Sequence, residues 1–400
     1  MKDVFIYDAI RTARTKAKPS GGLYNLTPQE LLRQLYHHLE TRVGLDPNLV
    51  DEVILGCVTQ HGEQAANIAR TSVLYAGWPD TLPGLTVNRF CSSSVDAISI
   101  GALKIAAGQA GAVVAGGVEM MSRVPLLSDQ ARIFTDPQFA AQCHMLLMGS
   151  GADLIATRCG ATRTQIDAVA LQSQQRAYRA QQEGRFTSLV NISNEERGES
   201  IVRDECIRPE LTMEDLNALP AAFAGIGAAG ADKLQLQAYD ELEQIEHLHT
   251  AGNSPAMCDG AATVLLGNAE LGTALGLAPR ARLVAAKTAC AEPLEVLSGC
   301  ITATQALLSE QSLTQSDVDL FELHEAFAAT IIKAEQTLGI SSERLNVNGG
   351  VIALGHPMGA TGAMMTGSLL DELERSSLTR GLIAASGAGG SGSALLLELA

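Results

Sequence analysis

Three stretches of the chain carry side chains able to do covalent or proton-transfer chemistry: "VNRFCSSSVDAISIGALKIAAG" around Cys91, "FELHEAFAAT" with His324 and Glu325, and "NVNGGVIALGHPMGATGA" around His356. Cys91 stands where a strand-like run gives way to a helix of small and apolar residues. Helix-terminal N–H groups and the macrodipole there predict a thiol pKa below its free value of about 8.5, and hence a nucleophilic thiolate. A buried, inert cysteine is the competing reading. His356 lies between Gly355, Pro357 and Gly359, a setting that predicts a rigid loop which other backbone or a ligand can approach closely. His324 and Glu325 interrupt an apolar segment at a second strand-to-helix junction, where a helix-capping role and a functional one fit equally well. The C-terminal "GLIAASGAGGSGSALLLELA" contains a GxGxxG match from Gly387 to Gly392. A dinucleotide cradle needs a helix directly after the glycines. The run that follows is short and strand-like, so the stretch reads as a hairpin with Ser386 before its glycine turn.

The elements that must position these residues alternate. Runs such as "VFIYDAI", "VDEVILGCVT" and "AGAVVAGGVEMM" are strand-like, and "NIARTSVLYAG" and the stretch after Cys91 are helical, a pattern of α/β layers. Two echoes suggest a duplicated unit: "LVDEVILG" with "DVDLFELH", and "LTVN" before Cys91 with "LNVN" before His356. Their equivalent loops would converge on one site. Between the halves, from Ser122 to His249, the chain turns polar and irregular and reads as an insertion. It carries Arg158, Arg163, Arg176, Arg179, Arg185, Arg203 and Arg208, which suit either a phosphate-bearing ligand or solvated helix faces.

Composition narrows the function classes. The chain has 400 residues, 46% of them apolar, and a net charge of −16. That size implies a globular protein of two or three domains, and that charge argues against nucleic acid or an anionic membrane as partner. The eight cysteines lack paired metal-ligand spacing, so no metal and no disulfide framework is expected, and a reducing, cytoplasmic setting follows. No signal peptide and no membrane span is expected from the apolar runs.

The motifs "DAIRTA", "GEQAANIAR", "VNRFCSSS", "VVAGGVEMMSR", "QSQQRA", "DECIRPELTMEDL", "TAGNSPAMCDGAA", "HEAFAA" and "NVNGGVIALGHPMGATGA" run the length of the chain in order. Together they resemble the thiolase superfamily of acyl-CoA acetyltransferases. The resemblance implies a duplicated five-layered α-β-α-β-α core: one half from residues 1–121 and 250–270, the other from 271–400, with a coenzyme-A-binding loop domain, 122–249, inserted in the first. It implies coenzyme A and acyl-CoA as substrates, no tightly bound cofactor, a homodimer or homotetramer, and a possible partner subunit of β-oxidation. Cys91 matches the acylated nucleophile and His356 its base. His324 falls where many members have an asparagine that holds a catalytic water, and resembles the branch acting on long-chain ketoacyl-CoA in fatty-acid β-oxidation. Ser254, Arg185 and Phe327 are the implied coenzyme A contacts, although Pro255 departs from the usual second serine. Ser386 stands where the family has its second catalytic cysteine, and the amides of Cys91 and Ala388 are candidate oxyanion donors.

The implied reaction is thiolysis of a 3-ketoacyl-CoA through a Cys91 acyl-enzyme. A serine cannot supply the acid and base chemistry at the acetyl-CoA carbon, and such a loss costs about 10²–10⁴ in rate. Two alternatives follow: a decarboxylating Cys-His-His condensing enzyme, and a non-catalytic acyl-CoA-binding paralogue.

Overall fold

The computed structural model describes residues 2–400. Twelve strands form: β1 (Phe5–Arg11), β2 (Thr15–Lys16), β3 (Glu52–Gly56), β4 (Gly84–Val87), β5 (Ala112–Met120), β6 (Ile192–Asn194), β7 (Glu199–Ile201), β8 (Cys258–Gly267), β9 (Ala281–Cys290), β10 (Leu320–Leu323), β11 (Arg380–Ser386) and β12 (Ser391–Leu399). The main sheet runs β10-β11-β12-β9-β1-β8-β5-β3-β4, with β2 beside β8. β1 and β9 meet through only two residue pairs, Phe5 with Arg282 and Ile6 with Ala281. That thin seam divides the sheet into two halves of the same design. In one, β4, β3 and β5 are parallel and β5, β8 and β1 antiparallel. In the other, β10 and β11 are parallel and β11, β12 and β9 antiparallel, with Leu345 bridging β10 where β4 would lie. The echoed "LVDEVILG" and "DVDLFELH" are thus β3 and β10. "LNVN" makes a single bridge where "LTVN" makes a strand.

Period-2 alternation sorts side chains to the two faces. Val53, Leu55, Val114 and Leu265 face an outer layer built on the helices Pro28–Val43 and Ile68–Tyr75. Ile54, Val113, Val264, Ile383 and Leu395 face a central layer holding the helices Ser93–Ala106 and Thr361–Ser376. Phe321, Leu382 and Leu396 pack with the helix Gly299–Glu310 on the far side. Helix, sheet, paired helices, sheet and helix make five layers. The two central helices are the ones that follow Cys91 and His356, so duplication places both motifs at the middle of the molecule.

The segment 122–249 supplies no named strand of the main sheet; β6 and β7 pair with each other. Its polar run "ALQSQQRAYRAQQ" is not irregular. It lies in a 20-residue helix, Arg163–Gln182, started by a Thr162–Gln165 capping box. The buried stripe of Ile166, Ala170, Ala177 and Ala180 is narrow, and the rest of the helix is polar because much of its surface faces solvent. Among the described residues no helix is long and apolar enough to cross a membrane.

Candidate active site

Cys91 precedes the helix Ser93–Ala106, whose N-cap is Ser92. The turn is sharp: Phe90 has φ +50°, a left-handed conformation in a residue with a side chain, which costs on the order of 1–3 kcal/mol. From there the Cys91 sulfur meets His356 Nε2 at 3.1 Å, and His356 Nδ1 meets Thr361 Oγ1 at 2.7 Å. The His324 ring lies 4.5 Å, centroid to centroid, from that of His356. It is 1% exposed, and neither of its ring nitrogens has a hydrogen-bond partner among the described residues. A buried polar ring left unpaired is costly, so His324 is the member of the group with bonding capacity still to give.

The expected thiolate is not the resting state. Burial, reinforced by the charge of Glu119, pushes the Cys91 thiol up to about 12, outweighing the backbone N–H contribution that the sequence favoured. Burial likewise pushes His324 down to about 4. Burial, with the neighbouring His324 and Arg14 charges, holds His356 well below the ordinary imidazole range. The pair is a neutral thiol facing a neutral imidazole, which is the protonation state a general base needs.

Ser386 ends β11, and the hairpin with β12 pairs Ser386 with Gly392 as the terminal sequence predicts. The glycine turn, with Gly389 and Gly390 at positive φ, joins two strands and leads into no helix. It lies against the nucleophile's turn. Ser92 Oγ donates to the Ala385 carbonyl at 2.8 Å, and a Cβ on Gly387 would come within 2.7 Å of the Arg89 carbonyl. The Ser386 hydroxyl itself is fully buried, donating to the Leu297 carbonyl at 2.5 Å and accepting from Cys300 N–H at 2.9 Å. Ala388 is buried in the same turn, and among the described residues neither its N–H nor that of Cys91 is taken by a protein acceptor.

Two carboxylates hold the loops in place; the sequence passes over one and leaves the other open between a helix cap and a functional role. Glu119, fully buried near the end of β5, accepts from the amides of Val58, Thr59 and Gly359 and from Gln64. It thereby ties the loop after His356 to the loop after β3. Glu325 is no helix cap, and neither is His324: Phe327 occupies the cap of the helix Ala328–Leu338. Glu325 instead accepts from Ser173 Oγ, Asn346 Nδ2 and Ile352 N–H, bracing the segment that delivers His356. A glutamate inside the apolar "VVAGGVEMM" was the available signal for Glu119.

The residues expected to touch coenzyme A are more scattered. Ser254 Oγ donates to the Thr250 carbonyl at 2.6 Å, and Phe327 is buried edge-on against Phe223 and His249. Arg185 is taken up by Glu183 and Asn348. Of the other inserted arginines, Arg158 pairs with Glu295, Arg163 with Asp167, and Arg176 bonds the Ser342 and Leu345 carbonyls. Arg179, Arg203 and Arg208 remain exposed, with no ion pair among the described residues. A 390 Å³ cavity in the insertion is lined by Ile133, Phe134, Met145, Leu146, Leu147 and Leu234, among others. Met145 and Leu146 also pack, as Phe90 does, on the apolar cluster that contains Ala388, so the cavity borders the same cluster as the cysteine's turn.

Comparison with known proteins agrees with this architecture. Residues 4–235 match the thiolase N-terminal domain and residues 277–399 the thiolase C-terminal domain. The chain belongs to the thiolase family, a family of acyltransferases. It is 37% identical over 392 residues to a protein named 3-ketoacyl-CoA thiolase from Shewanella baltica strain OS155, covering 96% of this chain and 95% of that one. It is 35% identical to one of the same name from Bacillus subtilis strain 168 over the whole of both chains. Among solved structures, human mitochondrial 3-ketoacyl-CoA thiolase superposes with a TM-score of 0.88 at 29% identity, and the acetyl-CoA acetyltransferase of Bacillus anthracis with 0.86 at 34%. Each match covers 100% of this chain and 99% of the other.

Proposed function

We propose that this protein is a 3-ketoacyl-CoA thiolase of fatty-acid β-oxidation, carried by Cys91. The observation that supports it most is the 3.1 Å contact between the Cys91 sulfur and His356 Nε2, with the unpartnered His324 ring beside it. The base role places a proton on His356 Nδ1, donated to Thr361, and leaves Nε2 to accept the thiol proton. Cys91 Sγ then attacks the keto carbon, and the oxyanion is held by the free amides of Cys91 and Ala388. The carbon–carbon bond breaks to give acyl-Cys91 and an acetyl-CoA enolate whose thioester oxygen His324 can hold. The proton taken from Cys91 is the one the enolate must finally receive; once His356 has given it up, Nε2 accepts the thiol proton of a second coenzyme A and returns it to Cys91 as the acyl group moves to that sulfur.

The enolate carbon still needs a proton, and the Ser386 hydroxyl is committed to Leu297. Acyl exchange between acyl-CoA and free coenzyme A involves no carbon acid. The protein should therefore exchange labelled coenzyme A readily, thiolyse acetoacetyl-CoA slowly, and lose both activities in Cys91→Ala. Exchange and thiolysis of equal speed would show that Ser386 is no handicap, and absent exchange would select a binding paralogue. A decarboxylating condensation needs no proton at that carbon, which suits a bonded serine. Release of carbon dioxide from malonyl-CoA by the acyl-enzyme is the result that would select that reading.

Coenzyme A is proposed to lie along the insertion, 122–249, with Ser254 and Phe327 beside the pantetheine, Arg185 nearby, and the exposed Arg179, Arg203 and Arg208 available to phosphates. An acyl chain longer than acetoacetyl would pass Ala388 and Met145 into the apolar cavity. Leu146→Trp should raise KM for decanoyl-chain ketoacyl-CoA at least about tenfold, the loss of one or two buried methylenes or more, while acetoacetyl-CoA is unaffected. The protein is proposed to be cytoplasmic and homo-oligomeric, with room for a β-oxidation partner. Leu74, Tyr75 and Leu103 are exposed large apolar residues that suit association. Light scattering that gives a monomer would overturn that part.

A further inference from the structure

Six of the eight cysteines have no evident connection to one another, but Cys206 and Cys258 converge. Cys258 opens β8, while Cys206 lies in the insertion beyond β7. Their thiols flank the same glycine. Both sulfurs crowd the space where a side chain would begin: a Cβ built on Gly355 would sit 2.8 Å from the Cys258 sulfur and 3.2 Å from the Cys206 sulfur. Gly355 has φ +105° and ψ 157°, a region essentially restricted to glycine, and it immediately precedes His356.

The surroundings of this pair are fixed from several sides. His356 N–H donates to the Ala256 carbonyl at 2.8 Å, and Met257 bridges His356, so the strand that carries Cys258 also carries the histidine's backbone. Asp204 accepts from both Arg11 and the Arg14 amide, and Glu205 N–H donates to the Arg14 carbonyl at 3.0 Å, so the segment carrying Cys206 is tied to the residues after β1. Neither sulfur has free space on the Gly355 side.

We propose that Cys206 and Cys258 form a dithiol modification site that low-molecular-weight disulfides oxidise, and that the resulting disulfide displaces the Gly355–His356 backbone and disables the base. The Cys206 thiol is the more accessible, at 7% exposure against 0% for Cys258, and the neighbouring Cys258 thiol lowers its pKa. Its thiolate attacks one sulfur of the external disulfide R–S–S–R and expels R–S⁻, forming a mixed disulfide. Cys258 then attacks the Cys206 sulfur and expels the second R–S⁻. The two cysteine protons go to the two leaving thiolates, so one R–S–S–R becomes two R–SH and the dithiol becomes one disulfide. Closure needs the sulfurs about 2.05 Å apart, so at least one of these free thiols, with the backbone that carries it, must shift beside Gly355. A displacement of about 1 Å at a catalytic group costs on the order of 10²-fold in rate.

The test uses the full protein and hydroxyethyl disulfide as oxidant. In a Cys91→Ser background, non-reducing peptide mass mapping should find residues 206 and 258 joined, with loss of two hydrogens. In the wild type, oxidised while acetyl-CoA keeps Cys91 acylated, acyl exchange should fall by about 10²-fold and return on adding dithiothreitol. Cys206→Ser and Cys258→Ser should each resist that loss. Two results overturn the proposal: no joined peptide after exhaustive oxidation, or a joined peptide with exchange undiminished. Equal loss of exchange in the wild type and both serine variants, with Cys91 found modified, also overturns it.

Discussion

A neutral thiol beside a neutral imidazole sets how the nucleophile should respond to pH. Because the Cys91 thiol is pushed up to about 12, no free thiolate builds up near neutrality, and attack must be coupled to proton transfer onto His356. His356 loses its basic nitrogen only when protonated, and burial holds that event well below the usual imidazole range. Acyl exchange should therefore be flat from about pH 6.5 to 9, falling only at lower pH. A limb with a midpoint between about 6.5 and 7.5 would contradict the assignment of a depressed His356 pKa. Ser386 belongs to the same scale. Ser386→Cys places a titratable group where the hydroxyl now bridges Leu297 and Cys300, and should raise thiolysis of acetoacetyl-CoA by about 10²–10⁴ with exchange unchanged. Unchanged thiolysis would mean that another group delivers the proton.

Loops and strands are held to the site by buried carboxylates and by close backbone crossings. Glu325→Ala would leave Ser173 Oγ–H, Asn346 Nδ2 and Ile352 N–H without their acceptor, in a place where water does not reach. Each orphaned donor costs about 1–3 kcal/mol, so urea unfolding should show a loss of about 3 kcal/mol or more. Glu325→Gln keeps an acceptor oxygen and should recover a good part of that loss. Loss of His356 positioning should appear in kcat more than in KM. Where β12 crosses the start of the helix Gly299–Glu310, a Cβ on Gly392 would lie 2.1 Å from the Gly299 carbonyl carbon, which is backbone and cannot rotate away. Gly392→Ala should therefore force the strand off the helix that binds Ser386, costing about 1–3 kcal/mol or more. Stability equal to wild type would show that the crossing can relax.

At the scale of the whole molecule, burying two histidines in one central site ties stability to acid. His324 and His356 bind protons more weakly folded than unfolded, so the unfolded chain takes up protons first as pH falls below about 6.5. The stability they contribute is present above that pH and is lost as pH falls toward the folded values, about 4 for His324. The loss should approach about 1.4 kcal/mol per pH unit for each histidine. Calorimetry between pH 7 and 4.5 should show a steep fall in Tm for the wild type and a shallower one for His324→Gln. Parallel curves would show that His324 is not held neutral.

The motifs are local: Cys91, His324 and Ser386 each follow or end a strand before a turn and a helix or hairpin, and His356 lies in a glycine-flanked loop between two helices. The sequence alone therefore located them and, through the echo of β3 in β10, the duplication that brings them together. The five-layered core followed from the family resemblance. Other properties depend on distant contacts that no local pattern encodes. The Cys91 thiol is raised because layers from both halves enclose it and Glu119 lies near, although its place before a helix predicted the reverse. Glu325 reads equally as a cap or a functional group in one dimension and is a brace in three, since its partners are 21, 27 and 152 residues away. Cys206 and Cys258 are 52 residues apart and unremarked by spacing; only the packing of the insertion against β8, over a glycine too crowded to carry a Cβ, makes them neighbours.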